Sequence, residues 1–293
     1  RGETPHEETD APLAAALGPH QYLAMHLAGR LGAPLRPQHV AACASSLTAL
    51  HQAKQALLGG ARRGWGGAVG DDAALVVTSE AALLPMFIHS YRRLGVLAEL
   101  TPAGYRQRPL DAKRTGFMLS ECGAAVVVKR LPPGRAPEPG QIELLETATA
   151  AEAHDMVRPS PQMPALRRVA DQLMRGRTID AIHPHAPSTA EHDQTELGLL
   201  RALVGDGDAP AVYACKGALG HSLGAAGLSA LVMSCLSLHA GQRPPMPWLT
   251  EPIDAGRGLC LDPRAQRLSR QGTHAILAAG FAGHVAGAVI KRH

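Results

Sequence analysis

The stretch Lys216 to Gly227, K-G-A-L-G-H-S-L-G-A-A-G, followed at once by the apolar run L-S-A-L-V-M-S-C-L, constrains this chain more than any other. Small residues at that density suit a turn where backbone approaches backbone or a bound molecule closely. A strand-like A-V-Y-A-C (Ala211 to Cys215) leads in, and a helical spacing through Leu228, Leu231 and Cys235 leads out. His221 therefore falls at a strand-to-helix switch. Such an edge of an α/β sheet holds its loop between rigid elements, which is where chemistry is commonly placed. The same residues also suit a packed Gly/Ala-rich turn with a solvent-facing histidine.

Two further stretches share that local grammar. Val40-Ala41-Ala42-Cys43-Ala44-Ser45-Ser46 reads as strand, turn and helix with Cys43 at the corner, and Ile182-His183-Pro184-His185-Ala186-Pro187-Ser188-Thr189 ends another short apolar strand. A cysteine at a helix N-terminus meets unpaired N–H groups and a partial positive charge, which favours thiolate over thiol. Met singly, a lone cysteine is a small hydrophobe and a lone histidine a structural residue. Three such residues at matching strand ends point instead to one site.

The rest of the chain alternates in the same way. A helix is expected from Gly18-Pro19 to Gly32-Ala33-Pro34, a strand from Gln38 to Ala42, and a helix from Ser45 to Leu58. Ala73 to Thr78 reads as a buried strand, Pro85 to Leu94 as a helix and Glu121 to Lys129 as a strand. The Pro-rich Leu131 to Gly140 marks a boundary between halves at 1–130 and 140–293. Beyond it come strands at Ile142 to Thr149 and Ile179 to His183, and helices at Pro164 to Met174 and Glu191 to Val204. This rhythm predicts α/β layers.

Composition narrows the function. At 293 residues the chain can bury a large core, and its net charge of +4, without a Lys/Arg block, gives no reason to expect nucleic acid or a membrane surface as partner. The five cysteines are an odd number with no C-x-x-C pair, so neither a disulfide framework nor a zinc site is indicated, and reduced thiols in a cytoplasm fit better. No membrane span or signal peptide is expected.

Taken in chain order, Cys43, His185, Lys216, His221 and the closing Gly280-Phe281-Ala282-Gly283 resemble the β-ketoacyl-(acyl carrier protein) synthases of the thiolase superfamily, from about residue 18 to the C-terminus. The resemblance implies a layered αβαβα fold of two pseudo-duplicated halves, the first of them incomplete, because family members place a longer segment ahead of the nucleophile. It implies that Cys43 is acylated from a carrier protein and that His185 and His221 hold the thioester oxygen of a malonyl unit as it loses carbon dioxide. Lys216 matches the family lysine beside the histidines, and Asp193 and Glu196 its acidic pair, with the role of keeping both imidazoles neutral and oriented. Phe281 matches a ring that gates the acyl pocket, its N–H completing an oxyanion hole with that of Cys43. Ser188 and Thr189 match hydroxyls near the pantetheine arm.

Several positions depart from the family pattern: where it has Asn-Ala-His-Gly-Thr-Ser-Thr this chain has His183-Pro184-His185-Ala186-Pro187-Ser188-Thr189, so that Pro187 replaces a hydroxyl residue, and His284 and Val285 stand where Thr and Asn would. The function implied is decarboxylative Claisen condensation in fatty acid or polyketide biosynthesis, with acyl carrier protein as partner and no metal or dissociable cofactor. The alternatives are an acyltransferase or thioesterase using Cys43, and a synthase-like partner subunit of a heterodimer. A homodimer or heterodimer is expected.

Overall fold

A computed structural model describes residues 27–32, 39–59, 73–101, 104–105, 107–204, 209–254 and 258–293. The expected helix start at Gly18-Pro19, its end at Ala33-Pro34, and Gln38 lie outside them. Residues 27–31 are helical. In chain order the main elements are α1 (Ser45–Leu58), β1 (Ala73–Glu80), α2 (Pro85–Arg93), β2 (Cys122–Lys129), β3 (Ile142–Ala151), α3 (Pro164–Met174), β4 (Ala181–His183), α4 (Ala190–Val204), β5 (Ala211–Val212), α5 (Ala226–Ala240), β6 (Thr273–Ala279) and β7 (His284–Arg292).

Five strands form one sheet in the order β3-β7-β6-β4-β5. β6 runs parallel to β4, and β4 parallel to β5, while the β6–β7 and β7–β3 pairs are antiparallel. A register shift at Val289/Ile290 bends β7 where it passes β3. β1 and β2 pair antiparallel as a separate two-stranded sheet. α1 and α5 lie between the two sheets, and α3 covers the far face of the larger one with α4 beside it. The result is a layered sheet–helix–sheet–helix stack.

The two inner helices are joined directly. Leu228 N–H donates to Ser46 Oγ at 3.0 Å, and Lys54 of α1 reaches across to the carbonyl of Leu145 at 2.7 Å. Burial of β6 and β7 is nearly continuous, as it must be for a sheet covered on both faces.

Several sequence expectations change. Ala73 to Thr78 was expected as a buried strand, yet only Val76 of β1 is buried, because β1 has a strand neighbour on one side and helices on one face. The expected strand before Cys43 reduces to a single bridge between Ala41 and Cys43. Leu223–Ala240 is long and apolar enough to cross a membrane, with mean hydropathy 1.6, but 61% of it is buried as the central core helix. Its length and apolar character have a reason in packing: a helix surrounded by sheets is apolar all round.

Candidate functional site

Four turns meet between the sheets, and each is held in a backbone conformation that L-residues seldom adopt. Ala42 (φ 47°) precedes Cys43, Ala186 (φ 33°) follows His185, Leu223 (φ 41°) lies two residues after His221, and Ala282 (φ 58°) follows Phe281. Such strain persists only where surrounding structure over-determines it. Here the lock is visible. Ala41 N–H donates to Ser45 Oγ (2.8 Å), whose hydroxyl donates to the Ala42 carbonyl (2.6 Å). Gly280 lies against the same turn, so that a Cβ there would sit 2.9 Å from the Cys43 nitrogen and 2.7 Å from the Ala41 oxygen. Only glycine allows the closing turn to approach Cys43 this nearly.

Cys43 itself is buried with Ala82 and Leu223, against Tyr91 and Leu119. Burial pushes its thiol up to about 12, with Lys216 pulling the other way and Glu80 adding to the rise. This corrects the expectation of a favoured thiolate. α1 begins two residues beyond Cys43, and the loss of water outweighs what the helix terminus and Lys216 supply. At rest the group is a thiol.

His185 and His221 come together, their ring centroids 5.4 Å apart and the planes at 74°. Both are buried, and the Nδ1 of each lacks a hydrogen-bond partner. Burial drives both imidazoles well below their ordinary value, and Lys216 adds to the fall for each. Both are therefore neutral at pH 7. Lys216 Nζ donates to the backbone carbonyl of His185. Its charge is felt by Cys43, His185 and His221 alike, so one buried cation serves as the common neighbour of all three.

The acids act on backbone more than on the imidazoles. Glu196 accepts the N–H groups of His185 (2.7 Å) and Ala186 (2.8 Å), which fixes the strained turn after β4. Burial pushes its carboxyl up, but His192 and those two N–H groups outweigh burial and hold it below its ordinary value. Asp193 accepts from Leu110 N–H (2.8 Å) and Ser188 N–H (2.9 Å). Burial raises Asp193 to about 6 against the pull of the Leu110 N–H, His192 and Arg114, whose Nε lies 3.8 Å away. Ser188 is fully buried, its Oγ accepting the Arg108 N–H at 3.0 Å, while Thr189 is half-buried and its carbonyl accepts from Arg114 Nε.

Phe281 is half-buried and stacks on Tyr91 at 6.2 Å. Tyr91 in turn meets Phe117 edge-on at 5.8 Å, and Phe117 meets His221 at 4.8 Å. The chain has only three phenylalanines, and two of them form this wall from the closing turn to His221. Sequence reasoning passed over Tyr91, Phe117 and His192. The scarcity of aromatics was a usable signal for the first two, and the i, i+4 spacing of His192 and Glu196 for the third. Among the described residues, no group of three or more His, Cys, Asp or Glu side chains is placed to hold a metal ion.

The N-terminal domain of the β-ketoacyl synthases matches residues 37–133 and their C-terminal domain residues 142–249. The 3-oxoacyl-(acyl-carrier-protein) synthase 1 of Escherichia coli is 35% identical over 137 residues, covering 46% of this chain and 33% of the relative. The corresponding synthase 2 of Coxiella burnetii is 28% identical over 229 residues, covering 75% and 55%. The chain thus spans between a third and about half the length of these relatives. Among solved structures, a ketosynthase bound to the hexaketide, in complex with its type II polyketide acyl-carrier protein, superposes with a TM-score of 0.77 at 22% identity, over 93% of this chain and 67% of that one.

Proposed function

Since the chain belongs to the β-ketoacyl synthase family and has its thiolase-like fold, we propose that it catalyses a decarboxylative Claisen condensation on thioesters carried by an acyl carrier protein, in fatty acid or polyketide synthesis. The observation that carries this reading is the pair of buried, neutral imidazoles, His185 and His221, 5.4 Å apart beside Lys216. Cys43 attacks the carbonyl of an acyl thioester. Its proton leaves with the released carrier thiol, and the acyl group stays on sulfur. The malonyl C–CO2 bond then breaks, carbon dioxide departs, and the electron pair moves onto the thioester as an enolate.

Two N–H donors aimed at that oxygen stabilise charge that the ground state lacks. The enolate carbon attacks the acyl-Cys43 carbonyl, a C–C bond forms, the C–S bond breaks, and the Cys43 sulfur regains a proton. Lys216 favours the anionic sulfur on departure, while Glu196 and Asp193 hold the turn that carries His185. Phe281 would border the acyl chain, with Ser188 and Thr189 on the side of the pantetheine arm. No dissociable cofactor enters these steps.

The division at 1–130 and 140–293 into two thiolase-like halves, and assembly with a second synthase-like subunit, belong to the same reading. Light scattering at low micromolar concentration should report a species larger than a monomer. A monodisperse, fully active monomer would remove the second subunit from the reading.

Incubation with acyl- and then labelled malonyl-carrier protein, followed by intact-mass and peptide mapping, tests the chemistry. The expected result is an acyl adduct on Cys43, released carbon dioxide and a 3-oxoacyl thioester. An adduct on Cys122, Cys215, Cys235 or Cys260 that persists in Cys43→Ala overturns it. Transfer or hydrolysis of the acyl group without carbon dioxide would select the acyltransferase or thioesterase alternative.

A further inference from the structure

A third histidine stands in the site with no role in the chemistry above. His192, in the first turn of α4, is buried, and its ring lies 4.9 Å from that of His185 with the planes at 65°. Its Nε2 is 3.5 Å from Oε2 of Glu196, the carboxylate that accepts the His185 and Ala186 N–H groups, and has no hydrogen-bond partner. The His185 ring is therefore flanked by His192 and His221.

We propose that His192 is a positioning residue, a wedge packed against the His185 ring beside the Glu196 carboxylate, that fixes the orientation of that ring and keeps the imidazole in its neutral, N–H-donating form. Resting on the condensing-enzyme reading, the proposal adds to it a residue through which the decarboxylating half of the site is tuned. Three observations support it. Glu196 is fixed by the His185 and Ala186 N–H groups, and His192 packs beside it with Nε2 3.5 Å from Oε2, so the His192 ring is itself held against a fixed neighbour. The charge of His192 acts on both His185 and His221 in the direction that keeps them unprotonated, as Lys216 does. Finally, Nδ1 of His185 has no hydrogen-bond partner, so ring packing by His192 and His221 takes the place of the hydrogen bond that would otherwise set its orientation.

The charged and titratable groups facing His192 are Glu196 and Asp193 on its own helix and His185 and His221 from the facing turns, with Lys216 acting on those two histidines and Arg114 beside Asp193. Replacement of His192 by glutamine keeps a polar side chain against Glu196 and removes the charge. Replacement by alanine removes the wedge as well.

The test reads the proton on His185 directly, by NMR titration of its ring, assigned through the signal missing in His185→Gln. In His192→Gln the His185 imidazole is expected to take up a proton at higher pH than in the unaltered protein. Coincident titrations, or two rings that both stay neutral until the protein unfolds, overturn the proposal whatever the catalytic activity is. With labelled malonyl-carrier protein, His192→Ala should slow carbon dioxide release about tenfold or more beyond any slowing of Cys43 acylation, and His192→Gln should recover most of that loss. Equal slowing of both steps marks His192 as a packing residue only. If the unaltered protein releases no carbon dioxide, the condensing-enzyme reading fails while the titration still decides the role of His192.

Discussion

The two sheets of this molecule are built on opposite terms. In the five-stranded sheet, β6 and β7 are buried along most of their length, and α3 and α5 close the two faces. In the two-stranded sheet, β2 alternates half-buried and exposed residues, and Leu75 and Val127 stand 47% and 60% exposed. His185 and His221 hang from strand ends and turns packed into the first. Cys43 sits where the second meets the inner helices. The histidine side is thus packed from both faces, while the sheet on the cysteine side leaves apolar side chains exposed.

That contrast predicts a division of labour, and the largest effect should come from the histidine side. His221→Ala is expected to slow carbon dioxide release from malonyl-carrier protein by about 10²–10³, as loss of one donor to a developing oxyanion does, while acyl-Cys43 still forms. Lys216→Ala should damage the same step, through orientation of the His185 turn. If either variant releases carbon dioxide normally but fails to load Cys43, the division between the two regions collapses.

Stability offers a second way to sharpen the comparison. Ile276 in β6 is fully buried, and Ile276→Ala should cost about 2–5 kcal/mol in urea denaturation. Leu75→Ala on the open face should cost within about 0.5 kcal/mol in an isolated chain. A cost for Leu75 approaching that of Ile276 would show that the open sheet is covered in solution.

The pH dependence should also divide between regions. His183, His185, His221 and His274 are buried with imidazoles held below 6.5, His274 at about 4. Each binds a proton more readily when unfolded, so stability is present above 6.5 and falls as pH drops toward the folded values. Asp193, raised to about 6 from 3.8, and Glu80, also raised by burial, act in the opposite sense, but the four histidines outnumber them. Cys43, raised from 9.0 to about 12, contributes stability below 9 that is lost as pH rises through 12. Urea midpoints should therefore be highest between about pH 6.5 and 9. An unchanged midpoint from pH 7.5 to 5 would contradict the burial of the histidines.

The smallest effect belongs to the surface. Lys113 and Glu251 pair in the open, 59% and 54% exposed, and Lys113→Ala should change stability by less than about 1 kcal/mol, and less still at high salt. A larger loss would mean that the neighbouring Asp111 anchor, which accepts from Thr250 and Glu251 N–H groups, depends on that pair.

Much of this was legible in the chain itself, because local patterns carry their own physics. The bounds of α1 and α3 follow from spacing and from Pro164 at a tolerated first position. Cys43, His185 and His221 announced themselves by recurring at the same kind of corner, while Gly280 entered only through the resemblance of the closing Gly280-Phe281-Ala282-Gly283, and its close approach to Cys43 was the structure's to show. β6 and β7 passed unread, since short apolar runs such as A-I-L-A-A and V-A-G-A-V-I do not distinguish strand from buried helix.

What tertiary structure alone decided is the state of each group. The helix start beside Cys43 argued for a thiolate, and desolvation by Ala82, Leu223 and their neighbours reversed it, because burial is a sum over distant segments that no local pattern contains. The acids Asp193 and Glu196 read as partners of the imidazoles and turned out to grip backbone N–H groups 5 to 83 residues away. His192 gained its place only when α4 folded against the turn after β4. Residue types and their spacing set what chemistry is possible; the loss of water, which depends on the whole packed chain, set which protons are held and where.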